Sequence, residues 1–166
     1  IFVHDPALLI DDGAILLRMG KALRRGEEAA MGKALDAAGV PVVGALRAPA
    51  VAEGGDLVWL DPATLAVGQG FRTNADGLRQ LDDLLRERGV DTIPVPLPYF
   101  EGPDACLHLM SILSVLADDL AVAYPRLLPV PLWEHLRSMG FDVVEVIQNA
   151  RLVRALRRAE GGLPGP

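Results

Sequence analysis

Cysteine is almost absent from this sequence: Cys106 is the only one, so no internal disulfide can form. Such usage is typical of a cytosolic protein. Aromatic residues make up only 5% of the chain, which argues against a base-stacking surface. The net charge of −6 argues against a general binder of nucleic acid or anionic membranes. The longest apolar run, residues 107–116, is too short to span a bilayer.

Apolar sequence, by contrast, is plentiful. Hydrophobic residues make up 51% of the 166 residues and charged residues 23%, a balance typical of a folded protein with a buried core. No low-complexity linker divides the chain. We therefore predict a single α/β domain over residues 1–166.

Strand-like and helix-like segments alternate along the chain. Predicted strands cover residues 14–18, 41–46, 57–60, 65–68, 95–97, 107–116, 120–124 and 142–146, and predicted helices cover residues 27–38, 73/74–88 and 132–139. This order gives repeated strand-strand-helix-strand units. Because hairpins join some of the strands, we predict mixed sheets and not the parallel sheet of a doubly wound fold.

Two short motifs place acidic side chains next to apolar strands. In Phe-Val-His-Asp-Pro, Pro6 keeps Asp5 out of the helical conformation, so Asp5 is either a turn residue or a site acid. In Glu-Gly-Gly-Asp, two glycines separate Glu53 from Asp56 and allow a ligand to approach the backbone. Paired carboxylates suit a cationic substrate and proton transfer; the alternative is a turn with solvated acids.

A third motif, Cys-Leu-His-Leu-Met-Ser, contains Cys106 and His108. In a strand these two side chains lie on one face, because the side-chain period is two. His108 is either a satisfied core residue or a catalyst. Cys106 is more typical of a buried structural cysteine than of a nucleophile, and without a second cysteine the motif does not predict a zinc site.

Three arginines lie close to predicted helix starts, where a positive charge gains nothing from the helix dipole. Arg24 and Arg25 precede the first helix, and Arg72 lies between a strand and the second helix. Both a carboxylate-binding role and an ordinary exposed position fit these arginines.

Taken in order, the motifs resemble the guanidino-group-modifying superfamily of dimethylarginine dimethylaminohydrolases, arginine deiminases and amidinotransferases. They are Phe-Val-His-Asp-Pro, Leu-Leu-Arg-Met-Gly-Lys with Arg24-Arg25, Glu-Gly-Gly-Asp, Phe-Arg-Thr-Asn and Leu-His-Leu, within residues 1–146. Arginine deiminases usually have an aspartate where this chain has Met110, so the chain is more similar to the dimethylarginine dimethylaminohydrolase branch. The resemblance implies an α/β propeller (pentein) of pseudo-fivefold symmetry.

The same resemblance implies a hydrolase that acts on the guanidino carbon of arginine or methylated arginine. Citrulline forms, together with an amine or ammonia, through a cysteine-bound thiouronium intermediate. The implied catalytic residues are His108, as acid and base, and Glu53, which orients it. The implied substrate-binding residues are Asp5 for the guanidinium, Arg24 and Arg72 for the α-carboxylate, and Asp56 in support of the site.

The resemblance also implies the partners of the protein. The expected partner is a small guanidino substrate, and neither a metal nor an organic cofactor is expected, because the implied chemistry is covalent and acid/base only. No nucleic-acid or membrane partner is expected, the expected location is cytoplasmic, and a homodimer is allowed. Two alternatives stay open: an amidinotransferase that uses the same site, and a non-catalytic binding protein with the same fold.

In this superfamily the nucleophile is a cysteine in a run resembling Gly-Gly-Gly-Pro-Thr-Cys near the C terminus. Residues 161–166 read Gly-Gly-Leu-Pro-Gly-Pro and stop where Thr-Cys is expected. Our hypothesis is that segments are missing before residue 1, near residues 146/147 and after residue 166. On this hypothesis the nucleophile is not among the 166 residues, and Cys106 is a different, structural cysteine.

Overall fold

A computed structural model of the chain describes residues 3–104 and 107–146. These residues form three successive units of one design, each with a hairpin, a helix and a third strand. The first unit contains β1 (Ala7–Ile10), β2 (Gly13–Leu16), α1 (Glu27–Ala37) and β3 (Val42–Ala45). The second contains β4 (Leu57–Asp61), β5 (Thr64–Gln69), α2 (Ala75–Arg86) and β6 (Asp91–Pro96). The third contains β7 (Leu113–Ala117), β8 (Leu120–Ala123), α3 (Val130–Ser138) and β9 (Asp142–Glu145).

Each unit has a mixed three-stranded sheet. The two hairpin strands pair antiparallel, and the third strand pairs parallel to the second. A parallel return needs a crossover connection, which the helix of each unit supplies. The predicted strand-strand-helix-strand units and the predicted mixed sheets are therefore confirmed.

Helix α2 shows how local sequence and packing agree. At its N terminus the side chain of Asn74 accepts a hydrogen bond from the backbone N–H of Gly77 at 2.8 Å, as a cap residue does. Leu81 and Leu85, on its apolar face, are fully buried. They pack with residues of the first unit such as Leu17, so one apolar cluster joins the first two units.

A second apolar cluster joins the second and third units. Val58 and Leu60 of β4 pack there with Leu113 of β7 and Leu136 of α3. Each unit is therefore held to the next by buried side chains from its strands and helices, which fixes the hairpin ends relative to one another.

The predicted strand over residues 107–116 is confirmed from Leu113 onward and wrong before it. His108 precedes a 3₁₀ turn at Leu109–Ser111, and β7 begins only at Leu113. The backbone N–H of Ser111 donates to the carbonyl of His108 at 2.9 Å, and the N–H of Leu109 donates to Asp56 at 3.3 Å. These polar contacts turn the chain, and apolar content alone does not reveal them. His108 therefore does not share a strand face with Cys106, which lies outside the described residues.

Two further differences concern short strands. β1 was not among the predicted strands, and β6 begins at Asp91, whereas the prediction began at residue 95. Pro94 and Pro96 weaken the strand signal in β6. The strand nevertheless forms because it lies at the edge of its sheet, where a missing N–H is tolerated.

Within residues 3–104 and 107–146, every helix is too short or too polar to serve as a bilayer span. The single domain over residues 1–166 stays a prediction, because residues 147–166 lie outside the described part of the chain. The predicted break near residues 146/147 lies at the edge of that part and also stays a prediction.

Candidate active site

The polar motifs lie together at one end of the hairpins. Asp5 is close to the start of β1 and Asp56 directly precedes β4, whereas Arg24 follows β2 and Arg72 follows β5. Because hairpin strands run antiparallel, the start of the first strand and the end of the second lie at the same edge. His108 reaches this edge from the turn before β7. The fold thus gathers side chains from all three units.

His108 lies at the centre of these side chains, and its own side chain is only 12% exposed. The ring atom Nδ1 lies 3.0 Å from Asp56 Oδ1, and Nε2 lies 3.5 Å from Glu53 Oε2. A Cβ atom at Gly55 would come within 2.7 Å of the ring, so the ring packs directly on the backbone between the two acids. Only glycine allows this approach. His108 is therefore bound into a polar site and is not an ordinary core histidine.

The pKa of His108 is raised above its ordinary value. Burial by itself lowers this pKa, because it disfavours the charged ring. The hydrogen bond with Asp56 and the negative charges of Asp56, Asp5 and Glu53 act in the opposite direction and outweigh burial. The surroundings of the ring thus favour imidazolium.

Stability is expected to depend on pH through His108. Because its pKa is raised by folding, its stabilising contribution is complete below the unfolded-state pKa of about 6.5 and is lost as the pH rises through the folded-state pKa. From about pH 6 to about pH 9, the free energy of unfolding should therefore fall less in His108→Gln than in the wild type. Urea unfolding across this range measures it. A wild-type slope in His108→Gln would contradict the expectation.

The three carboxylates of the motifs are buried: Asp5 is 6% exposed, Glu53 1% and Asp56 0%. This excludes the alternative of a turn with solvated acids. Buried carboxylates need hydrogen-bond donors. Glu53 Oε1 accepts from the backbone N–H groups of Gly20 and Lys21, each at 3.0 Å. The loop after β2 thereby fixes Glu53 from the first unit.

Donors also hold the other two carboxylates. Asp56 Oδ1 accepts from the N–H of Leu109 at 3.3 Å, and Asp56 Oδ2 accepts from the hydroxyl of Thr73 at 2.7 Å. Asp5 Oδ1 accepts from the N–H of Gly55 at 2.9 Å. Each carboxylate therefore has a defined orientation before any ligand binds.

Arg24 supplies the nearest positive charge to this acidic group. Its Nη1 lies 2.7 Å from Asp5 Oδ2 and 3.9 Å from Glu53 Oε2. Its Nε and Nη2 grip the two carboxylate oxygens of Glu27 at 2.9 and 2.7 Å. The hydrogen bond with Glu27, followed by that with Asp5 and by their charges, outweighs burial and raises the pKa of Arg24. Glu27 of α1 is thus a member of the site that the sequence analysis did not single out.

Arg72 is almost completely buried, at 6% exposed. Its nearest recorded ion-pair contact joins Nη1 to Glu53 Oε1 at 3.8 Å. Its Nε has no hydrogen-bond partner within the residues that the structure describes. A buried guanidinium with unused donor capacity is suited to an anionic group such as a carboxylate.

Asp5, Glu53 and His108 offer ligand atoms that all lie within 4.8 Å of one another, so this set has the composition of a cation site. The guanidinium of Arg24 already lies 2.7 Å from Asp5, so a metal ion there would either displace this guanidinium or be repelled by its positive charge. A planar organic cation that adds hydrogen bonds to the same oxygens fits this surrounding better. The expectation that no metal is needed stays a prediction.

Comparison with known proteins places this geometry in a family. A sequence profile of arginine deiminase matches residues 1–155. The chain belongs to the arginine deiminase family. It is 31% identical over 165 residues to the N(G),N(G)-dimethylarginine dimethylaminohydrolase of Streptomyces coelicolor, covering 93% of this chain and 58% of that protein. It is 27% identical over 146 residues to the enzyme of that name from Pseudomonas aeruginosa, covering 88% and 53% respectively. The chain thus spans little more than half of these relatives.

A solved structure confirms the fold of this family member. The adduct of a dimethylarginine dimethylaminohydrolase with S-methyl-L-thiocitrulline superimposes with a TM-score of 0.73 at 26% identity, over 89% of this chain and 54% of that one. The predicted α/β propeller fold is therefore confirmed, with three units in the described residues. The predicted resemblance to the guanidino-group-modifying superfamily, nearest its dimethylarginine dimethylaminohydrolase branch, is also confirmed.

All six site residues named from the sequence belong to one connected set of ion pairs and hydrogen bonds: Asp5, Arg24, Glu53, Asp56, Arg72 and His108. Their roles in a reaction stay predictions. Asp56, and not Glu53, lies at hydrogen-bond distance from the His108 ring. Besides Glu27, the sequence analysis missed Thr73, although it quoted the Phe-Arg-Thr-Asn run that contains it. The only feature of the sequence that could have indicated Thr73 as a site residue is its place in the Phe-Arg-Thr-Asn motif.

Proposed function

We propose that this family member is a cysteine-dependent hydrolase of guanidino compounds that converts arginine or a methylated arginine into citrulline and ammonia or an amine. One observation carries the proposal: His108 is paired with Asp56 while its other nitrogen faces buried Glu53, with Asp5 beside them. The relatives named dimethylarginine dimethylaminohydrolase support the same class of reaction.

The buried carboxylates of the site suit the guanidinium group. Among the described residues, the recorded contacts of Glu53 Oε2 are long, 3.5 Å to His108 and 3.9 Å to Arg24, so this oxygen has acceptor capacity left for a guanidinium N–H. Asp5 contributes a second carboxylate, and Arg24 holds that carboxylate in place at 2.7 Å. We therefore assign Asp5 and Glu53 to guanidinium binding, as paired carboxylates that also counter its charge.

The buried guanidinium of Arg72 suits the α-carboxylate of the substrate. The buried Nε of Arg72, which has no partner among the described residues, supports this assignment. Arg24 adds positive charge to the same region, although its hydrogen bonds to Asp5 and Glu27 give it a structural task as well. An arginine guanidinium can bind a carboxylate through two parallel hydrogen bonds, which fixes its orientation.

In the proposed reaction a cysteine thiolate attacks the guanidino carbon and forms a C–S bond. The C–N bond to the leaving amine then breaks, and His108 gives that nitrogen a proton from Nε2. Water next attacks the thiouronium carbon and passes one proton back to His108 as the C–S bond breaks and the thiolate leaves. The second proton is released to solvent, where the free amine takes it up. The raised pKa of His108 supports its action as the acid in the first half of this cycle.

An assay of citrulline formation tests the proposal. The protein as the cell makes it is incubated with L-arginine, Nω-methyl-L-arginine and asymmetric dimethyl-L-arginine, and citrulline and released amine are measured together. We expect citrulline and amine in equal amounts from at least one of them. Agmatine, which lacks the α-carboxylate, should show a higher KM than arginine if Arg72 binds that group.

Two further arms separate the alternatives. Glycine added with arginine would yield guanidinoacetate and ornithine from an amidinotransferase, and citrulline from a hydrolase. A haloamidine should label one cysteine covalently, and peptide mapping then identifies the nucleophile. Failure to turn over every guanidine, together with the absence of cysteine labelling, would refute the enzyme proposal and favour a binding protein.

A further inference from the structure

Thr73 is a buried threonine that contacts both acidic residues of the Glu-Gly-Gly-Asp motif. It is 0% exposed, and its Oγ1 lies 2.7 Å from Asp56 Oδ2 and 3.3 Å from the backbone nitrogen of Glu53. A carboxylate only accepts hydrogen bonds and a backbone N–H only donates them. The hydroxyl must therefore accept from Glu53 and donate its single proton to Asp56.

Asp56 depends on this hydroxyl because the described residues supply few other contacts to its carboxylate. Oδ1 faces His108 Nδ1 at 3.0 Å and accepts from the N–H of Leu109 at 3.3 Å, whereas the donor recorded for Oδ2 is Thr73. In the part of the chain that the structure describes, no lysine or arginine lies within ion-pair distance of Asp56. Removing the hydroxyl would leave a buried carboxylate oxygen without its donor, a costly arrangement that favours reorientation of the group.

The backbone around Thr73 is itself fixed. Its carbonyl accepts from the N–H of Gly70 at 3.0 Å, and the next residue, Asn74, donates its N–H to the carbonyl of Val51 at 3.1 Å. Asn74 also caps α2. The hydroxyl therefore belongs to a loop that hydrogen bonds fix at the start of α2. A side chain that aligns a site residue needs such a rigid support.

We propose that Thr73 is a positioning residue that holds Asp56, and through Asp56 the imidazole of His108, in the orientation that hydrolysis needs. It acts through Asp56 and not on the substrate. Its effect on turnover rests on the proposed function, but its effect on the His108 ring does not. The two proposals can therefore fail separately.

Matched substitutions test the role of the hydroxyl. Thr73→Val keeps the shape and deletes the hydroxyl, and Thr73→Ser keeps the hydroxyl. We expect Thr73→Val to lower kcat by about tenfold or more while KM stays within about threefold. The free-energy cost of losing a donor to a buried carboxylate corresponds to a rate factor of about ten or more if the aligned Asp56 is needed in the transition state. Thr73→Ser should restore kcat to within about threefold of the wild type.

A second measurement reports on the His108 ring and does not depend on turnover. In protein labelled with ¹⁵N-histidine, the Nδ1–H of His108, hydrogen-bonded to Asp56, should give a downfield proton signal that is absent from His108→Gln. We expect Thr73→Ser to keep this signal and Thr73→Val to lose or broaden it. A merely structural threonine would not move this signal in a variant that is folded by circular dichroism.

Wild-type kcat and ring signal in Thr73→Val would overturn the proposal, as would equal losses in the valine and serine variants. If Thr73→Val does not fold, Thr73→Ala is read by the same criteria. If the wild type turns over no guanidine, the proposed function fails, and the ring signal alone decides the role of Thr73.

Discussion

His108→Gln is expected to lower kcat for citrulline formation by about 10²- to 10⁴-fold, the range that a positioned acid/base contributes. Glutamine can still accept from or donate to Asp56 but cannot carry a proton between the leaving amine and water. We therefore expect the substitution to affect proton transfer more than it affects the orientation of the Asp56 carboxylate or the packing against Gly55. Steady-state kinetics should therefore show a fall in kcat that exceeds any change in KM.

His135→Gln is the matched control, because His135 lies on α3 and belongs to none of the site contacts described. Its kcat should stay within about threefold of the wild type, as expected for a substitution away from the reacting groups. Circular dichroism and thermal unfolding establish that both variants are folded. Near-normal kcat in folded His108→Gln would remove His108 from the proposed acid/base role and leave the family fold intact.

Much of the fold could be predicted because each unit repeats a strong local pattern. The apolar stripe and the asparagine cap of α2 predict that helix, since both signals lie within the helix itself. The segment at residues 107–116 could not be assigned in this way. Its first part is turned by bonds from Leu109 to Asp56 and from Ser111 to His108, and the first of these joins residues far apart in the chain.

The residues that belong to the site could be predicted better than the hydrogen bonds among them. Asp5, Glu53 and His108 stand in recognisable motifs next to strands, and strand ends are where the fold brings polar residues together. The 3₁₀ turn Gly54–Asp56 directly follows Glu53, so the carboxylates of Glu53 and Asp56 point in different directions. This turn decides which of the two faces Nδ1 of His108. The role of Thr73 depends on the same turn, so neither bond is visible in the order of residues.

Arg24→Met is expected to lower the free energy of unfolding by about 3 kcal/mol, the lower end of the range for breaking a buried ion pair, because the arginine is partly exposed. The side chain of Arg24 is 19% exposed and that of Asp5 8%. Methionine retains apolar bulk but leaves Asp5 and Glu53 without the guanidinium that lies 2.7 and 3.9 Å from them. Chemical unfolding at neutral pH, with an unchanged denaturant slope, measures the loss.

Arg25→Met is the matched control, since Arg25 is the exposed neighbour of Arg24, and it should change stability by less than about 0.5 kcal/mol. The double variant Arg24→Met with Asp5→Asn should recover part of the loss, because it removes the unpaired charge that makes the single variant costly. Equal stability losses in Arg24→Met and Arg25→Met would contradict this view of the ion pair. Recovered stability in the double variant would show that the charge of Asp5 is a cost to folding unless Arg24 offsets it, and we propose that the site retains this charge to bind the guanidinium.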